Sequence, residues 1–386
     1  MTSVLPSGRQ KAWRQVRRLL AVRLDQLGDL LMTTPALAAL KEALPAASLT
    51  LLTSPIGTRV APHLNMVDQA MTFTAPWMQV GMQSNEELGQ QETDLIQRLR
   101  QEQFDAVVIF TVCTQSPLPM AMLCRMAGIE LRLAHCRENP YALLSDWIPE
   151  TDVIAQGMRH EVQRQLDLVG SLGFSTHNEH LRFEVLPGDR SKVQQHLQAA
   201  GLTPSQPYAV FHPGASAASR RWPAAWFGTA AQKVHAKRGT AIVFSGDDSE
   251  KELIDQAQRA MQGPSISLAG KLNIGELAAL IENAQVLVAN NSGPTHLAAA
   301  VNTPVVNLYA LTNPQHTPWR VPARVLFHDV DCRWCLKSVC PQQHHDCLLR
   351  VEPERVSVAA LELMDPHPAT TIPQSPSFSL QTLEPS

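Results

Sequence analysis

The stretch ANNSGPTHLAAA, residues 289–300, links a short apolar run to an alanine-rich segment. The apolar run, residues 284–289, is typical of a buried parallel strand. Ser292 can cap a helix whose first turn holds the proline, and Gly293 lets a ligand approach the backbone closely. This arrangement favours anion binding, because unpaired amides and the positive end of the helix dipole face one spot. His296, one turn into the helix, adds a donor; the alternative is an ordinary strand–turn–helix junction.

Length and composition indicate a globular protein of two domains. The chain of 386 residues exceeds one typical core, and its apolar content of 44% is ordinary. No apolar run approaches the roughly 20 residues that cross a bilayer, and the first residues lack the apolar core of a signal peptide. We therefore expect a cytoplasmic protein. The net charge of −3 argues against a nucleic-acid partner.

The first part of the chain is strongly basic. Residues 1–24 carry no acidic side chain and six basic ones: Arg9, Lys11, Arg14, Arg17, Arg18 and Arg23. Such a cluster can make peripheral contact with anionic headgroups of the inner membrane, at about 1 kcal/mol per basic residue near the surface. The alternative is a solvated leader, which we place at residues 1–17.

Apolar strands alternate with amphipathic helices along nearly the whole chain. The predicted strands are residues 19–24, 48–53, 106–112, 208–212, 240–245, 285–289 and 305–308. The predicted helices are residues 35–44, 86–100, 158–172, 224–237, 249–261 and 274–283. This alternation indicates an α/β fold with parallel sheets that are covered on both faces.

The pattern becomes irregular around residues 181–190, and a new helix–strand series follows. We therefore predict two doubly wound, Rossmann-like domains, residues 18–185 and 186–364, with an interdomain cleft. Ligands are expected at the carboxyl ends of the strands. Residues 365–386 are rich in proline, serine and threonine, and we expect this tail to be disordered.

An aspartate follows the first predicted strand. The sequence RLDQLGDLL, residues 23–31, holds Gly28 for a tight turn and Asp29 at the mouth of the sheet. A partly buried carboxylate at that place can accept a proton from an attacking hydroxyl. The alternative is that Asp25 or Asp29 simply caps the next helix. We expect Arg23 and Gly28 to contact the substrate that carries this hydroxyl, the acceptor.

A second group of residues opens the second predicted domain. HPGAS at residues 212–216 and RRWP at residues 220–223 follow its first strand, where a glycine-rich phosphate loop belongs. The pattern is neither a Walker loop nor GxGxxG, which argues against nucleoside triphosphate hydrolysis and against a dinucleotide cofactor. Amides near Gly214 and Ser216, with the guanidinium of Arg220, are suited to hold a diphosphate.

Two further strand ends offer polar groups to a nucleoside. FSGDDSE, residues 244–250, leads into a helix, and a carboxylate such as Glu250 commonly binds ribose hydroxyls at such a place. An acid in the first helical turn is also favoured by the helix dipole alone. Gly270 and Lys271, in the SLAGK loop of residues 267–271, suit the edge of a nucleobase.

In this order and spacing, the four groups resemble glycosyltransferase family 9, the ADP-heptose:lipopolysaccharide heptosyltransferases, over about residues 19–364. The resemblance implies a GT-B fold without a cofactor. It also implies an inverting, metal-independent transfer of heptose, or a related sugar, from a nucleoside-diphosphate sugar. The implied acceptor is a lipopolysaccharide core or a similar lipid-linked saccharide.

Position by position, the resemblance implies that Asp29 is the general base and that Glu250 contacts the ribose. Arg220 stands where the family has a phosphate-binding lysine, and it keeps the charge that a leaving diphosphate needs. The Asp-(Ser/Thr)-Gly-x-x-His element of the family falls on four residues of this chain: Asn291, Ser292, Gly293 and His296. Asn291 thus replaces an aspartate that contacts the sugar, which leaves the identity of the sugar open.

Four cysteines lie close together near the end of the second predicted domain: Cys332, Cys335, Cys340 and Cys347. Their C-x2-C-x4-C-x6-C spacing, with two histidines between, can supply a tetrahedral zinc site. The spacing matches no standard zinc pattern, and buried thiols in a packed loop are the leading alternative. We assign no metal to the candidate catalytic residues.

Two other functions stay open from the sequence. A nucleotide-sugar epimerase of the same fold needs acid and base groups within the second domain and makes Asp29 dispensable. A non-catalytic nucleotide-binding protein would keep the same phosphate loops. A change at Asp29 that leaves the activity intact would favour these alternatives.

Overall fold

The computed structural model describes residues 4–78, 89–153 and 157–365. The chain divides into two compact units, the first comprising Met1–Val153 and Glu161–Arg182 and the second Ile154–His160 and Phe183–Ser386. The division lies close to the boundary at 185/186 that the sequence predicts, except that a short piece before Glu161 clusters with the second unit. The predicted tail lies outside the described residues apart from its first residue.

The first unit is a six-stranded parallel sheet with helices. Its strands are β1 (Arg18–Arg23), β2 (Ser48–Thr53), β3 (Gln69–Thr72), β4 (Ala106–Ile109), β5 (Leu131–Cys136) and β6 (Asp146–Pro149). Its helices are α1 (Ser7–Arg14), α2 (Leu27–Ala43), α3 (Pro55–Val60), α4 (Gln90–Glu102), α5 (Leu118–Met126) and α6 (Glu161–Gly170). The strands lie in the order β3-β2-β1-β4-β5-β6, and neighbouring strands are parallel.

The second unit repeats this plan. Its strands are β7 (Tyr208–His212), β8 (Ala241–Phe244), β9 (Ile266–Ser267), β10 (Leu287–Asn290), β11 (Val305–Leu308) and β12 (Ala323–Leu326). Its helices are α7 (Pro187–Ala199), α8 (Ala224–Arg238), α9 (Lys251–Met261), α10 (Ile274–Glu282), α11 (Gly293–Ala300), α12 (Asp346–Leu349) and α13 (Pro353–Met364). The strands lie in the order β12-β11-β10-β7-β8-β9, again all parallel.

Both sheets are doubly wound. In each unit the chain starts in the middle of the sheet, winds to one edge and then returns to fill the other half. The order of the strands therefore reverses between β1 and β4 in the first unit and between β7 and β10 in the second. Ligands of such sheets bind outside the carboxyl ends of the strands at this reversal. The predicted α/β fold is confirmed, and the candidate residues that follow β1, β7 and β10 all lie beside a reversal.

The central strands are apolar along their length because helices cover both faces of each sheet. Five of the six residues of β1 and all five residues of β7 are buried. In the second unit, α8, α9 and α13 pack on one face of the sheet, around Trp222 and Phe227. No helix within the described ranges is long and apolar enough to cross a membrane.

A proline lies in the middle of α2 rather than at its start. The sequence predicts a helix over residues 35–44, yet α2 begins at Leu27. Pro35 has no amide to donate to the carbonyl of Leu31. The hydroxyl of Thr34 donates to that carbonyl instead, at 2.7 Å. The helix therefore continues through the proline, and its first turn includes Asp29.

The basic leader belongs to the fold of the first unit. α1 buries Trp13, whose indole donates to Asp146 at 3.1 Å, and Arg9 forms an ion pair with the same carboxylate. Burial acts to raise the pKa of Asp146, but hydrogen bonds, from Arg9 above all, hold this pKa below its usual value. The expected solvated leader is thus wrong for Ser7–Arg14, because an aromatic anchor and a buried carboxylate fix the helix.

Candidate functional site

The turn after β1 brings the carboxylate of Asp29 to the carboxyl end of the first sheet. Asp29 lies in the first turn of α2, where its Oδ2 accepts a hydrogen bond from the amide of Gln26 at 3.3 Å. The side chain is 16% exposed. Asp29 therefore caps α2, and it also reaches the surface. Gly28 is buried inside the same helical turn and does not adopt the left-handed backbone of a tight turn.

Arg23 is fully buried at the centre of a carboxylate cluster. Its Nε lies 3.0 Å from Asp25, and its Nη2 lies 3.0 Å from Glu161 and 3.6 Å from Asp29. This burial does not fit the predicted contact between Arg23 and an acceptor, because carboxylates surround the guanidinium. Arg23 instead forms ion pairs with both Asp25 and Asp29. The sequence analysis missed Glu161, which is far away along the chain and has no local motif to mark it.

The cluster extends from Arg23 to a second buried arginine, Arg164. Within the described residues, these two guanidinium groups form ion pairs with four carboxylates: Asp25, Asp29, Glu150 and Glu161. Burial, aided by the charges of Asp29 and Glu161, raises the pKa of Asp25 to about 6, against the opposing effects of Arg23 and a hydrogen bond from Gln115. The end of β1 therefore carries a buried carboxyl group, that of Asp25, whose pKa is raised.

Replacing Glu161 with alanine should lower the free energy of unfolding of the first unit by about 3–5 kcal/mol, because it removes one partner of a buried ion pair. Equilibrium unfolding in urea measures this change. Glu102→Ala is the matched control, since it removes an exposed ion pair with Arg18 and should cost less than about 1 kcal/mol. Equal losses in the two variants would contradict a stabilising role for the buried cluster.

In the second unit, the carboxylate of Glu250 is enclosed by glycine backbones. A Cβ placed on Gly214 would overlap the Glu250 carboxylate, and one on Gly246 would come within 2.9 Å of it. Glu250 Oε2 accepts from the amide of Asp247 at 3.0 Å and lies 3.5 Å from Nε2 of His212. Burial lowers the pKa of His212, against the charge of Glu250. The structure thus explains why residue 214 is a glycine, which the sequence alone did not: a side chain there would overlap Glu250.

Gly214→Ala should displace the Glu250 carboxylate at a cost of about 1–3 kcal/mol, which is typical of overpacking. If Glu250 binds the ribose as the sequence predicts, this cost should appear as weaker nucleotide binding, measured by calorimetry with ADP alone. Gly188→Ala in the same unit is the control, because a Cβ there meets no atom within 4 Å and the backbone has no positive φ. Unchanged nucleotide affinity in Gly214→Ala would show that Glu250 does not contribute to nucleotide binding.

Asn290 connects the loop after β7 to the end of β10. It is fully buried; its Oδ1 accepts from the amide of Trp222 at 3.0 Å, and its Nδ2 donates to the carbonyl of Pro213 at 2.8 Å. The next residue, Asn291, is also buried, and its amide donates to the carbonyl of Leu308 at 3.0 Å. The sequence analysis missed Asn290, although a polar residue closing an apolar strand is a usable signal.

The amino end of α11 is not capped by a side chain. Ser292 occupies the cap position, but its hydroxyl donates to the carbonyl of Asn290 at 3.3 Å and accepts nothing from the helix. Thr295 donates to the same carbonyl at 2.9 Å. The predicted capping by Ser292 is therefore wrong. The positive end of an eight-residue helix that starts at Gly293 remains without a side-chain oxygen.

Arg220 and His296 share one locality at this helix end. His296 is buried, and its Nδ1 has no hydrogen-bond partner among the described residues; the same is true of Nε of Arg220. Burial first, and then the positive charges of His316, His160 and Arg220, lower the pKa of His296 well below its ordinary value. A buried imidazole and a guanidinium whose charge acts on it therefore each keep one nitrogen without a hydrogen bond to the described residues, which suits an anion.

The remaining predicted donor residues lie on the rim of the second sheet. Gly270 has a φ of +67° and donates its amide to the carbonyl of Gly246 at 2.9 Å, so the two loops adjoin. Lys271 follows it and is exposed. Ser216 is also exposed, in the loop after β7. These three positions leave polar groups accessible beside Glu250 without a contact that fixes their role.

The four clustered cysteines lie in a loop that packs against the segment with Arg220. Ser219 anchors this loop: its hydroxyl donates to the carbonyl of Lys337 at 2.7 Å and its amide to the carbonyl of Ser338 at 3.0 Å. Sγ of Cys332 lies 3.7 Å from Nε2 of His344. Over the described parts of the chain, no three His, Cys, Asp or Glu side chains come together as a metal site. The zinc interpretation gains no support from the structure.

The sequence matches a known protein family and is similar to characterised relatives. Residues 93–345 match the model of glycosyltransferase family 9 (heptosyltransferase). The chain is 27% identical over 302 residues to lipopolysaccharide heptosyltransferase 3 of Escherichia coli, an alignment that covers 76% of this chain and 83% of that protein.

Two solved structures share the fold. A family 9 glycosyltransferase from Veillonella parvula DSM 2008 superposes with a TM-score of 0.74 at 22% identity, covering 90% of this chain and 97% of that one. The ADP-heptose lipopolysaccharide heptosyltransferase II of E. coli superposes with a TM-score of 0.70 at 21% identity, covering 90% of this chain and 98% of that one. The GT-B fold expected from the resemblance is thereby confirmed.

Proposed function

Because the chain belongs to glycosyltransferase family 9 and is a glycosyltransferase, we propose that it transfers heptose from ADP-heptose to a lipopolysaccharide core. The names of its relatives support the sugar, the nucleotide and the acceptor. The observation that carries the proposal is the amino end of α11, which no side chain caps and whose first turn holds the buried His296; the charge of Arg220 acts on this histidine. This arrangement offers donors and positive charge to a diphosphate.

The second unit binds the donor in this proposal. The diphosphate of ADP-heptose occupies the place between Arg220 and the first turn of α11. The carboxylate of Glu250, held against Gly214, accepts hydrogen bonds from the ribose hydroxyls. The exposed rim at Gly270 and Lys271 meets the adenine. Asn291 and Ser292 lie on the sugar side of the diphosphate.

The first unit supplies the base. Asp29 takes the proton from a hydroxyl of the acceptor, and the oxygen of that hydroxyl forms a bond to the anomeric carbon of the heptose. The bond from this carbon to the diphosphate oxygen breaks, and its electron pair leaves with ADP. Attack from the side opposite the diphosphate inverts the anomeric configuration. Arg220 and the helix dipole stabilise the charge that grows on the diphosphate, a role that a metal ion plays in other transferases.

A lipid-linked acceptor would bring the protein to the inner face of the cytoplasmic membrane. Arg9 is paired with Asp146, but Lys11, Arg14 and Arg17 are exposed around α1. Three such cations contribute about 1 kcal/mol each near anionic lipid. Sedimentation with vesicles containing an anionic lipid, compared with neutral vesicles, tests this part of the proposal separately from catalysis.

Incubation of the full chain with ADP-heptose and lipopolysaccharide from a heptose-deficient strain tests the function. We expect the acceptor to gain one heptose by mass spectrometry, with inverted anomeric configuration by NMR and with activity retained in a metal chelator. A thermal-shift panel of ADP-, GDP-, UDP- and dTDP-sugars should single out the ADP-sugar. Conversion of the donor without acceptor would favour an epimerase instead, and binding without turnover would favour a non-catalytic protein.

A further inference from the structure

The first unit contains a cavity at the reversal of its strand order. The cavity has a volume of about 260 Å³ and lies beyond the ends of β1 and β4, where Val22, Leu24 and Ile109 contribute to its wall. The rest of the wall is largely apolar, with Trp77, Met78 and Met120 among its residues. This volume is below the roughly 300–1,000 Å³ of sites for drug-sized ligands. A single small ring fits it, whereas a nucleotide does not.

Among the described residues that line this cavity, Asp25 has the one ionisable side chain. Its Oδ1 accepts a hydrogen bond from Nε2 of Gln115 at 2.7 Å, and its Oδ2 lies 3.0 Å from Nε of Arg23. A carboxylate has about four lone-pair sites, so these two partners leave capacity for a further donor. The cavity thus combines an apolar wall with one hydrogen-bond acceptor.

We propose that this cavity is a subsite for one uncharged sugar ring of the acceptor, with Asp25 accepting a hydrogen bond from a ring hydroxyl. The inference rests on the proposed function in assigning the ring to the acceptor. A sugar presents C–H groups on its faces and hydroxyl donors on its edge, which matches the wall and the carboxylate respectively. Trp77, 37% exposed, provides an aromatic surface for one face of the ring.

Two other classes of occupant fit less well. An acyl chain would bury Asp25 further without giving it a donor, which is costly for a polar group. An acidic or phosphorylated sugar would bring a second negative charge against the carboxylate of Asp25, and the described residues of the wall include no cation to offset it. The subsite therefore selects by charge. Asp25 and Asp29 also share the cation of Arg23, so a ring bound at Asp25 lies beside the proposed base.

Saturation-transfer NMR on the full chain tests the subsite without donor or turnover. The probes are methyl α-D-mannopyranoside and methyl α-D-mannuronate, which differ by one carboxylate, and octanoate. We expect binding of the neutral glycoside, with affinity for the mannuronate weaker by about tenfold. Preferential binding of octanoate or of the mannuronate would overturn the proposal, as would no binding of the neutral glycoside.

Variants place the binding in the cavity. Trp77→Ala should weaken binding of the neutral glycoside by about tenfold, whereas Trp147→Ala, which removes an equally exposed tryptophan of the same unit outside the cavity, should not. Asp25→Asn should reduce the discrimination against the mannuronate. Equal effects of the two tryptophan changes, or unchanged discrimination in Asp25→Asn, would overturn the assignment.

A competition experiment tests the link to the acceptor. Deacylated lipopolysaccharide core oligosaccharide should displace the neutral glycoside. Binding of the glycoside without displacement would overturn its assignment to the acceptor. If the glycoside binds and is displaced but heptose transfer is not detected, the proposed donor or reaction fails while the subsite stands.

Discussion

Asp29→Asn should lower the turnover number for heptose transfer by about 10²- to 10⁴-fold, the usual contribution of a general base. The substitution keeps the shape of the side chain and an oxygen that accepts the amide of Gln26, so the cap of α2 is retained. It removes the negative charge, and with it both the capacity to take a proton and the ion pair with Arg23. The dissociation constant for ADP should change by less than about twofold, because the residues that we propose to bind the nucleotide belong to the second unit.

The control for Asp29 lies at the other end of β1. Oδ2 of Asp105 accepts from the amides of Arg17 and Arg18 at 2.7 and 2.8 Å, at the amino end of the strand. Asp105→Asn should therefore change stability without changing turnover. Steady-state kinetics and calorimetry on both variants make the comparison. If Asp29→Asn loses nucleotide binding or keeps full turnover, Asp29 acts through the structure and is not the base.

Arg220→Ala should lower turnover by about 10²- to 10³-fold, comparable to the loss of one donor that stabilises charge in a transition state. The negative charge on the diphosphate grows as the bond to the sugar breaks, so the guanidinium is worth more at that moment than in the ground state. Arg220→Lys should recover much of the loss, because it retains the positive charge near His296. Initial rates over a range of ADP-heptose concentrations measure kcat and KM for both variants.

Arg190→Ala is the matched control in the second unit. Arg190 forms an exposed ion pair with Glu282, which is worth at most about 1 kcal/mol, and its loss should leave the rate unchanged. A higher KM with unchanged kcat in Arg220→Ala would show that Arg220 binds the donor equally in the ground and transition states. That result would remove it from the chemical step.

The sequence predicts the elements whose signal is local. Apolar runs at β1, β7 and β10 mark buried strands, and the small or polar residues after them mark the turns of the site. Partners far apart along the chain leave no such mark. Glu161 reaches Arg23 across 138 positions, and the need of Gly214 for a small side chain depends on where Glu250 falls after folding.

Local rules also mislead where neighbours compensate. Proline is a strong signal for a helix start, yet Pro35 lies inside α2 because the hydroxyl of Thr34 takes over the carbonyl that the proline leaves. A run of basic residues is typical of a solvated segment, yet α1 is anchored by Trp13 and Asp146. In both cases side-chain contacts that composition does not reveal reverse the expectation: one hydrogen bond at Thr34, and the contacts of Trp13 and Arg9 with Asp146.

The bond between Ser219 and the cysteine-rich loop has a practical consequence for handling the protein. The chain segment with Arg220, which we propose to bind the diphosphate, is hydrogen-bonded to backbone only a few positions from Cys335 and Cys340. Oxidation or alkylation of these thiols would shift that support while both sheets stay intact. Preparations stored in air should then look well folded by circular dichroism and yet be inactive, so a reducing agent belongs in every assay buffer.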